Sequence, residues 1–263
     1  MPFLSGITAF LSATSRPMPR FDQHFLRARR YAEQIAAAVS PLPGETLLEV
    51  GPGQGQLTRY LLAKPFPYIG VEIDELLLER LKALPQAEKA QWLQGDFLTI
   101  DLPPQPLYFI SNLPYSITGP TLFRILENQR WIRAGVLMIQ AEVADKLCAQ
   151  PGRRTWGRLS VLFQSVYQVR RLFRVPPGAF SPPPRVWSAV VTFERSPQVP
   201  LEEWSAFADF VRQACLHPRR TLRANLREAG LPCPSPWASL RPHQLSIQAL
   251  YKLWKLSLAH SSS

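Results

Sequence analysis

Short apolar segments alternate with amphipathic segments between about residue 30 and residue 145, and this alternation restricts the fold more than any other feature. Five of the apolar segments are typical of buried strands: TLLEV, YIGVEID, QWLQGD, LYFISN and GVLMIQ. Strands that alternate with helices predict a parallel sheet with helices on both faces. Two later β-rich runs, VYQVRRLFRV and SAVVTFE, are expected to extend it as an antiparallel edge pair. The sequence therefore predicts an α/β fold with a mostly parallel, seven-stranded sheet.

The periodicity becomes helical beyond RSPQVP (Arg195 to Pro200), which is typical of a linker. The expected organisation is a flexible segment over 1–20, an α/β domain over 21–196 and a small all-helical domain over 200–260. Residues 1–20 are rich in Ser and Thr and contain two Arg and no acid. A transit peptide, a disordered basic arm and a mis-assigned start all fit this composition.

Charge points to the class of partner. The chain has 30 Lys and Arg against 19 Asp and Glu, a formal net charge of +11, which favours nucleic acid over a membrane surface. No apolar run reaches the ~18 residues needed to span a bilayer. The three cysteines, Cys148, Cys215 and Cys233, have no zinc or disulfide spacing, and no metal site is expected. A reducing, cytoplasmic location follows, with organellar targeting by residues 1–20 as the alternative.

Glycines follow the first strand, in EVGPGQGQ. Gly51, Gly53 and Gly55 permit a tight turn and a close approach of backbone to ligand. The dinucleotide fingerprint requires glycine at its first, third and sixth positions, but Gln56 occupies the sixth. This spacing favours S-adenosylmethionine (SAM) over NAD.

Polar residues end the next three strands, and parallel strands bring such residues to one sheet edge, where ligands bind. Glu72, 21 residues after Gly51, is placed to accept hydrogen bonds from ribose hydroxyls. Asp96 is placed to accept one from an adenine amine, or to cap a turn. Asn112 begins NLPYSITGP, for which an ordinary turn is the simpler interpretation.

Taken in order, several motifs extend the pattern over residues ~20 to 255: FDQHFL, LLEVGPGQGQLT, GVEID, QGDFL, SNLPYSITGP, MIQAEVADKL, GRLSVLFQ, VPPGAFSPPPRVWSAVV and PRRTLRANL. With them the chain resembles the KsgA-type small-subunit rRNA adenine dimethyltransferases, within the wider rRNA adenine methyltransferase family. It departs from the usual pattern at Asp22, where the family has Gly, and at Trp156, where it has Tyr. It also lacks a Lys between the arginines and the threonine of RRTL.

The resemblance implies a class I SAM-dependent methyltransferase fold and transfer of methyl groups from SAM to the exocyclic amines of two adjacent adenosines. These would lie in a hairpin near the 3′ end of small-subunit rRNA. Asn112 and the Leu113 carbonyl would accept the amine protons, Pro114 would stiffen the turn, and Tyr115 would stack on the base. The implied partner is the immature small ribosomal subunit, and the enzyme is expected to be a monomer.

Further site residues follow from the same resemblance. Phe180 would be a second stacking ring, although an isolated sequence favours a core phenylalanine. The implied SAM-binding set is His24, Leu26, Gly51, Gly53, Glu72, Asp96 and Asn112.

Arginines occur in clusters that could bind a polyanion, although runs of charged residues usually form solvent-exposed faces. Arg153 and Arg154 flank a loop, and Arg219, Arg220 and Arg223 are assigned to the first turns of a carboxy-terminal helix. We predict that these five contact rRNA phosphates.

Three alternatives remain open at this stage. An NAD-dependent oxidoreductase is disfavoured by Gln56 and by the lack of a catalytic His or Tyr-Lys pair. A catalytically inactive ribosome-assembly or transcription factor is disfavoured by the intact NLPY. A large-subunit methyltransferase of the erythromycin-resistance type is the nearest competitor.

Overall fold

The computed structural model describes residues 24–261, with side chains described for residues 24–259. The segment over 1–20, and the first three residues of FDQHFL, lie outside these described residues.

Within residues 24–261, nine strands form two sheets. In chain order they are β1 (Phe25–Leu26), β2 (Thr46–Val50), β3 (Tyr68–Glu72), β4 (Ala90–Gln94), β5 (Leu107–Asn112), β6 (Ile132–Gln140), β7 (Tyr167–Val175), β8 (Phe180–Ser181) and β9 (Ser188–Arg195). The main sheet has seven strands in the order β4-β3-β2-β5-β6-β9-β7. The first five are mutually parallel, and β9 and β7 join them antiparallel. The predicted fold class and its antiparallel edge pair are confirmed.

Helices cover both faces of this sheet. They are α1 (Arg29–Ala38), α2 (Thr58–Leu62), α3 (Glu75–Lys82), α4 (Thr118–Glu127), α5 (Ala141–Leu147), α6 (Arg158–Gln164), α7 (Trp204–Ala214), α8 (Leu222–Glu228) and α9 (Ile247–Ser261). Every residue of β2 and β3 is buried. Burial on both faces explains why these strands are apolar runs without alternation.

The carboxy-terminal helices share a core with one face of the sheet. Phe109 of β5 and Phe207 of α7 belong to the same cluster of buried side chains. Trp156, which lies between them in sequence, is also buried. Its Nε1 donates a hydrogen bond to the Leu245 carbonyl at 2.9 Å. The division into domains at residues 21–196 and 200–260 stays a prediction.

No helix within residues 24–261 is both long enough and apolar enough to cross a membrane.

Candidate active site

A cavity of about 500 Å³ opens at the carboxyl ends of β2, β3, β4 and β5. Its lining includes residues that end or follow each of these four strands: Gly51, Gly53, Glu72, Asp96, Asn112, Leu113, Pro114 and Tyr115. Ligands of open α/β sheets bind at this edge, and the volume lies within the range of ~300–1,000 Å³ typical of small-molecule sites. The structure thus brings the four predicted strand ends into one pocket.

The glycine turn after β2 has a backbone that only glycine adopts easily. Gly51, Gly53 and Gly55 have φ angles of 65°, 59° and 74°, in the left-handed region. A Cβ atom on Gly53 would also lie 3.0 Å from the Phe25 ring. The turn therefore needs glycine both for its backbone angles and for the close approach of β1.

Glu72 anchors this turn. It is 3% exposed, and its Oε2 accepts a hydrogen bond from the Gly53 N–H at 2.9 Å. Its Oε1 accepts from the Ile73 and Asp74 N–H groups at 3.0 and 3.1 Å. Asp74, by contrast, caps α3 by accepting from Leu76 and Leu77. Glu72 is thus a buried acid of the site, whereas Asp74 serves the helix.

Glu49 is a site residue that the sequence reasoning missed. It lies on the buried part of β2, lines the cavity, and accepts a hydrogen bond from the Tyr68 hydroxyl at 2.5 Å. Burial raises the pKa of the Glu49 carboxyl to about 7, although the Tyr68 hydrogen bond opposes this shift. The acid two residues before the first glycine was the available signal.

Asp96 lines the cavity at the end of β4 and is half-buried. Its Oδ1 accepts from the Leu98 N–H at 2.8 Å, so the carboxylate also closes the following turn. Both interpretations offered by the sequence, a turn cap and a cavity acceptor, are compatible with this position.

Asn112 is the last residue of β5. Its Nδ2 donates to the His24 carbonyl at 3.4 Å. The preceding Ser111 hydroxyl donates to the Val50 carbonyl at 2.5 Å, which ties this strand end to the glycine turn. Leu113 is buried, and its N–H donates to the Met138 carbonyl at 3.1 Å. The Asn112 amide is therefore held by one backbone carbonyl, and both of its chain neighbours are hydrogen bonded to adjacent strands, while it lines the cavity.

Tyr115 follows Pro114 at the cavity wall. Its hydroxyl and the Ser188 Oγ lie 2.8 Å apart, and its ring centroid lies 5.4 Å from that of His24. Burial raises the pKa of the Tyr115 phenol, against a smaller opposing effect of the Ser188 hydrogen bond. The phenol thus enters the site as a neutral ring with a fixed orientation.

Phe180 reaches the cavity through a short ribbon. The strands β1 and β8 pair antiparallel, with Leu26 opposite Phe180 and Phe25 opposite Ser181. Phe180 is 5% exposed and packs in the core cluster that contains Leu26, yet it also lines the cavity. It is a core residue and a cavity residue at once, because the core ends at the cavity wall.

The predicted RNA-binding arginines lie outside this cavity. Arg153, Arg154, Arg219 and Arg223 are exposed, whereas exposed Arg220 forms an ion pair with Glu228 at 2.9 Å. The placement of Arg219 and Arg220 on the first turns of a helix is wrong. Helix α8 begins at Leu222, and Thr221 caps it, because its hydroxyl accepts from the Ala224 N–H.

The parallel sheet, the glycine turn and the buried acid at the second strand end define a SAM-dependent methyltransferase. A buried carboxylate for hydroxyl groups, a turn that exposes backbone and the uncharged amide of Asn112 at the end of β5 fit that cofactor. The sequence model of the family described as ribosomal RNA adenine dimethylase matches residues 15–235. The chain belongs to this family, as the resemblance in sequence predicted.

Relatives align over most of the chain. A ribosomal RNA small subunit methyltransferase A of Syntrophotalea carbinolica is 38% identical over 260 residues, covering 93% of this chain and 98% of that relative. A probable ribosomal RNA small subunit methyltransferase A of Methanospirillum hungatei is 41% identical over 211 residues, covering 78% of this chain and 81% of that relative.

Two solved structures share the fold. A dimethyladenosine transferase from Plasmodium falciparum has a TM-score of 0.74 at 21% identity, and covers 88% of this chain and 96% of its own. The 23S rRNA methyltransferase ErmE has a TM-score of 0.69 at 27% identity, and covers 88% of this chain and 99% of its own.

Proposed function

We propose that this enzyme dimethylates the exocyclic amines of two adjacent adenosines in a hairpin near the 3′ end of small-subunit rRNA, during ribosome biogenesis. The observation that carries the proposal is the position of Asn112. The amide ends β5 and lines the same cavity as Glu72 and Asp96. Relatives named as small-subunit enzymes, at 38% identity over nearly their whole length, support the choice of subunit.

The cofactor is held by the glycine-turn side of the cavity. Glu72 and Asp96 accept hydrogen bonds from its polar groups, and Gly51 and Gly53 let backbone approach it. His24 and Leu26 close this side: Leu26 pairs with Phe180 in the ribbon of β1 and β8, and His24 Nδ1 lies 2.8 Å from the Pro182 carbonyl. When bound, SAM supplies an electrophilic methyl group.

The substrate amine lies against the Asn112 turn. Its nitrogen lone pair is delocalised into the adenine ring, so it is a poor nucleophile until its geometry changes. The Asn112 amide oxygen and the Leu113 carbonyl each accept a hydrogen bond from one N–H of the amine, which favours a tetrahedral nitrogen and directs its lone pair. Pro114, which has no N–H, stiffens the turn, while Tyr115 and Phe180 hold the base plane. Positioning and preorganised polar contacts supply most of the rate, without a strong base.

In this proposal, the two parts of the chain have different functions. Residues 21–196 bind the cofactor, carry out methyl transfer and contribute Arg153 and Arg154 to RNA binding, whereas residues 200–260 serve RNA binding alone. Arg153, Arg154, Arg219, Arg220 and Arg223 neutralise phosphates of the immature small subunit. The enzyme acts as a cytoplasmic monomer.

Transfer of labelled methyl groups from SAM to isolated small and large subunits tests the proposal. Subunits from cells that lack this enzyme serve as substrate, and methylated adenines are then mapped. We expect two adjacent dimethyladenosines in the small subunit. Methylation of the large subunit alone would instead favour the activity named for ErmE, and no transfer to either would favour an inactive assembly factor.

A further inference from the structure

A large apolar side chain is exposed on the loop that joins β8 to β9. Trp187 is 50% exposed and its neighbour Val186 is 44% exposed. The other six tryptophans all lie within residues 24–261, and each is buried or half-buried. Single exposed apolar residues are common on protein surfaces, so exposure alone does not indicate a function. The position of this indole relative to the cavity is the more informative observation.

Both ends of the loop are hydrogen bonded to residues that line the cavity. At its start, the Pro182 carbonyl lies 2.8 Å from Nδ1 of His24. At its end, the Ser188 hydroxyl lies 2.8 Å from the Tyr115 hydroxyl. His24 and Tyr115 are both part of the cavity wall. The loop therefore begins and ends beside the cavity wall, and Trp187 is the residue directly before Ser188.

The backbone at Trp187 is fixed as well. Its carbonyl accepts a hydrogen bond from the Ala141 N–H, at the start of α5, at 2.8 Å. The next residue, Ser188, is buried and begins β9. An indole on a fixed backbone loses little conformational freedom when a flat partner stacks on it.

We propose that Trp187 is a stacking platform for a nucleobase that neighbours the target adenine in the RNA substrate. The inference rests on the proposed function, because it assigns a further contact to the same substrate. A base can enter a deep cavity only after it leaves the stack, and its neighbour then loses a stacking partner. The exposed indole at the rim replaces that partner.

The surrounding charge suits RNA. Arg185 is exposed two residues before Trp187, and the chain as a whole carries a formal charge of +11. Basic residues near aromatic platforms are typical of proteins that bind unpaired nucleotides. Stacking tolerates different bases, so the platform contributes affinity and orientation with little sequence readout.

The test compares Trp187→Ala and Trp187→Phe with wild type. The control is Leu42→Ala, because Leu42 is 51% exposed but precedes β2 at the opposite edge of the sheet. Binding of SAM is measured by calorimetry. Binding of RNA is measured with small subunits from cells lacking the enzyme and with an oligoadenylate that contains 2-aminopurine, whose fluorescence reports stacking. Methyl transfer at varied subunit concentration separates KM from kcat.

We expect Trp187→Ala to weaken RNA binding and raise KM by about 5- to 150-fold, the range measured for loss of one base–aromatic stack. SAM affinity should be unchanged, Trp187→Phe should restore most RNA affinity, and Leu42→Ala should match wild type. Equal oligoadenylate binding and equal KM for Trp187→Ala would overturn the inference. Self-association of wild type that Trp187→Ala abolishes, with RNA binding intact, would assign the indole to a second copy instead.

If the proposed function is wrong, the methyl-transfer measurement shows it separately from the Trp187 variants. Wild type would then transfer no methyl group to small subunits. The oligoadenylate measurement would still decide whether Trp187 stacks on a base.

Discussion

The Gly53 N–H donates to the Glu72 carboxylate at 2.9 Å, and this bond joins the loop after β2 to the end of β3. The same carboxylate accepts from two N–H groups of its own chain segment. One buried acid therefore sets the shape of the glycine turn as well as presenting oxygen to the cavity. The consequence is that cofactor binding and local stability depend on the same side chain.

Substitution of Glu72 by Ala should weaken SAM binding at least tenfold. Hydrogen bonds to a charged group contribute about 1.5–3 kcal/mol, and the substitution also leaves three N–H groups without their acceptor. A modest fall in melting temperature should accompany the loss. Asp96→Ala should weaken SAM binding with a smaller effect on stability. Titration calorimetry and thermal unfolding measure both quantities.

The control for this pair is Glu75→Ala, since Glu75 is an exposed acid on the first turn of α3. It should bind SAM like wild type. If SAM affinity were unchanged in both Glu72→Ala and Asp96→Ala, the cofactor-binding assignment of these acids would be wrong.

Replacing Asn112 by Ala should lower turnover by about 100-fold or more, as loss of a preorganised polar group that acts in the transition state typically does. SAM and RNA affinities should stay close to wild type, because the proposed contacts form mainly during methyl transfer. Single-turnover transfer of labelled methyl groups measures the rate, and Asn128→Ala, on the loop after α4, is the matched amide control. Transfer within a few-fold of wild type would contradict the assigned role.

The Glu49 carboxyl should make stability depend on pH. Its pKa is about 7 in the folded protein against 4.5 for an ordinary carboxyl, so the folded state holds a proton that the unfolded state releases. Stability should therefore fall as pH rises from about 4.5 to 7, and by about 3 kcal/mol in all for this one group. Below about pH 4.5, Glu49 is protonated in both the folded and the unfolded state, so it no longer makes stability depend on pH.

Glu49→Gln should remove this contribution, since its amide oxygen can still accept from the Tyr68 hydroxyl. Urea unfolding at several pH values should show a shallower decline for the variant than for wild type. Glu88→Gln, at an exposed glutamate, should follow the wild-type profile. Parallel profiles for Glu49→Gln and wild type would show that Glu49 titrates normally.

Removal of residues 1–19 should leave methyl transfer within a few-fold of wild type, because the site residues begin at His24. A longer deletion, of residues 1–26, should lose SAM affinity because it removes β1, including Leu26, and its pairing with β8. A folded 20–263 protein without activity would disprove the expectation for the shorter deletion.

Arg219 and Arg223 should each contribute about 0.7–0.9 to the salt slope of RNA binding, as a phosphate contact does. Arg220 should contribute less, because Glu228 already pairs with it. A salt titration with small subunits compares Arg219→Ala, Arg220→Ala, Arg223→Ala and the triple Glu variant with wild type. Lys89→Ala, at an exposed lysine directly before β4, is the control.

Plots of the logarithm of the RNA-binding constant against the logarithm of salt concentration could coincide for wild type and the triple variant. That result would show that these arginines form only a solvent-exposed face. SAM affinity should be equal in all of these variants, since none of these residues lines the cavity.

The amino-acid sequence by itself determined the parallel sheet, its edge pair, the glycine turn after the first strand and the polar ends of the next three strands. Burial of β2 and β3 on both faces leaves an apolar run that is visible in the sequence, and parallel strands necessarily place their carboxyl ends at one edge. Glu72, Asp96 and Asn112 were predictable because each occupies a strand end. The order of the motifs, through the family resemblance, added Phe180 to the predicted site. Without that resemblance, Phe180 would be assigned to the core.

Only the tertiary structure decided which distant side chains meet. The hydrogen bond between Tyr115 and Ser188, the pairing of Leu26 with Phe180 and the contact of Tyr68 with Glu49 all join separate segments. No local pattern encodes such pairs, because each depends on how strands and loops pack together. The raised pKa of Glu49 and the exposed position of Trp187, next to the Ser188 that contacts Tyr115, are therefore properties of the folded chain.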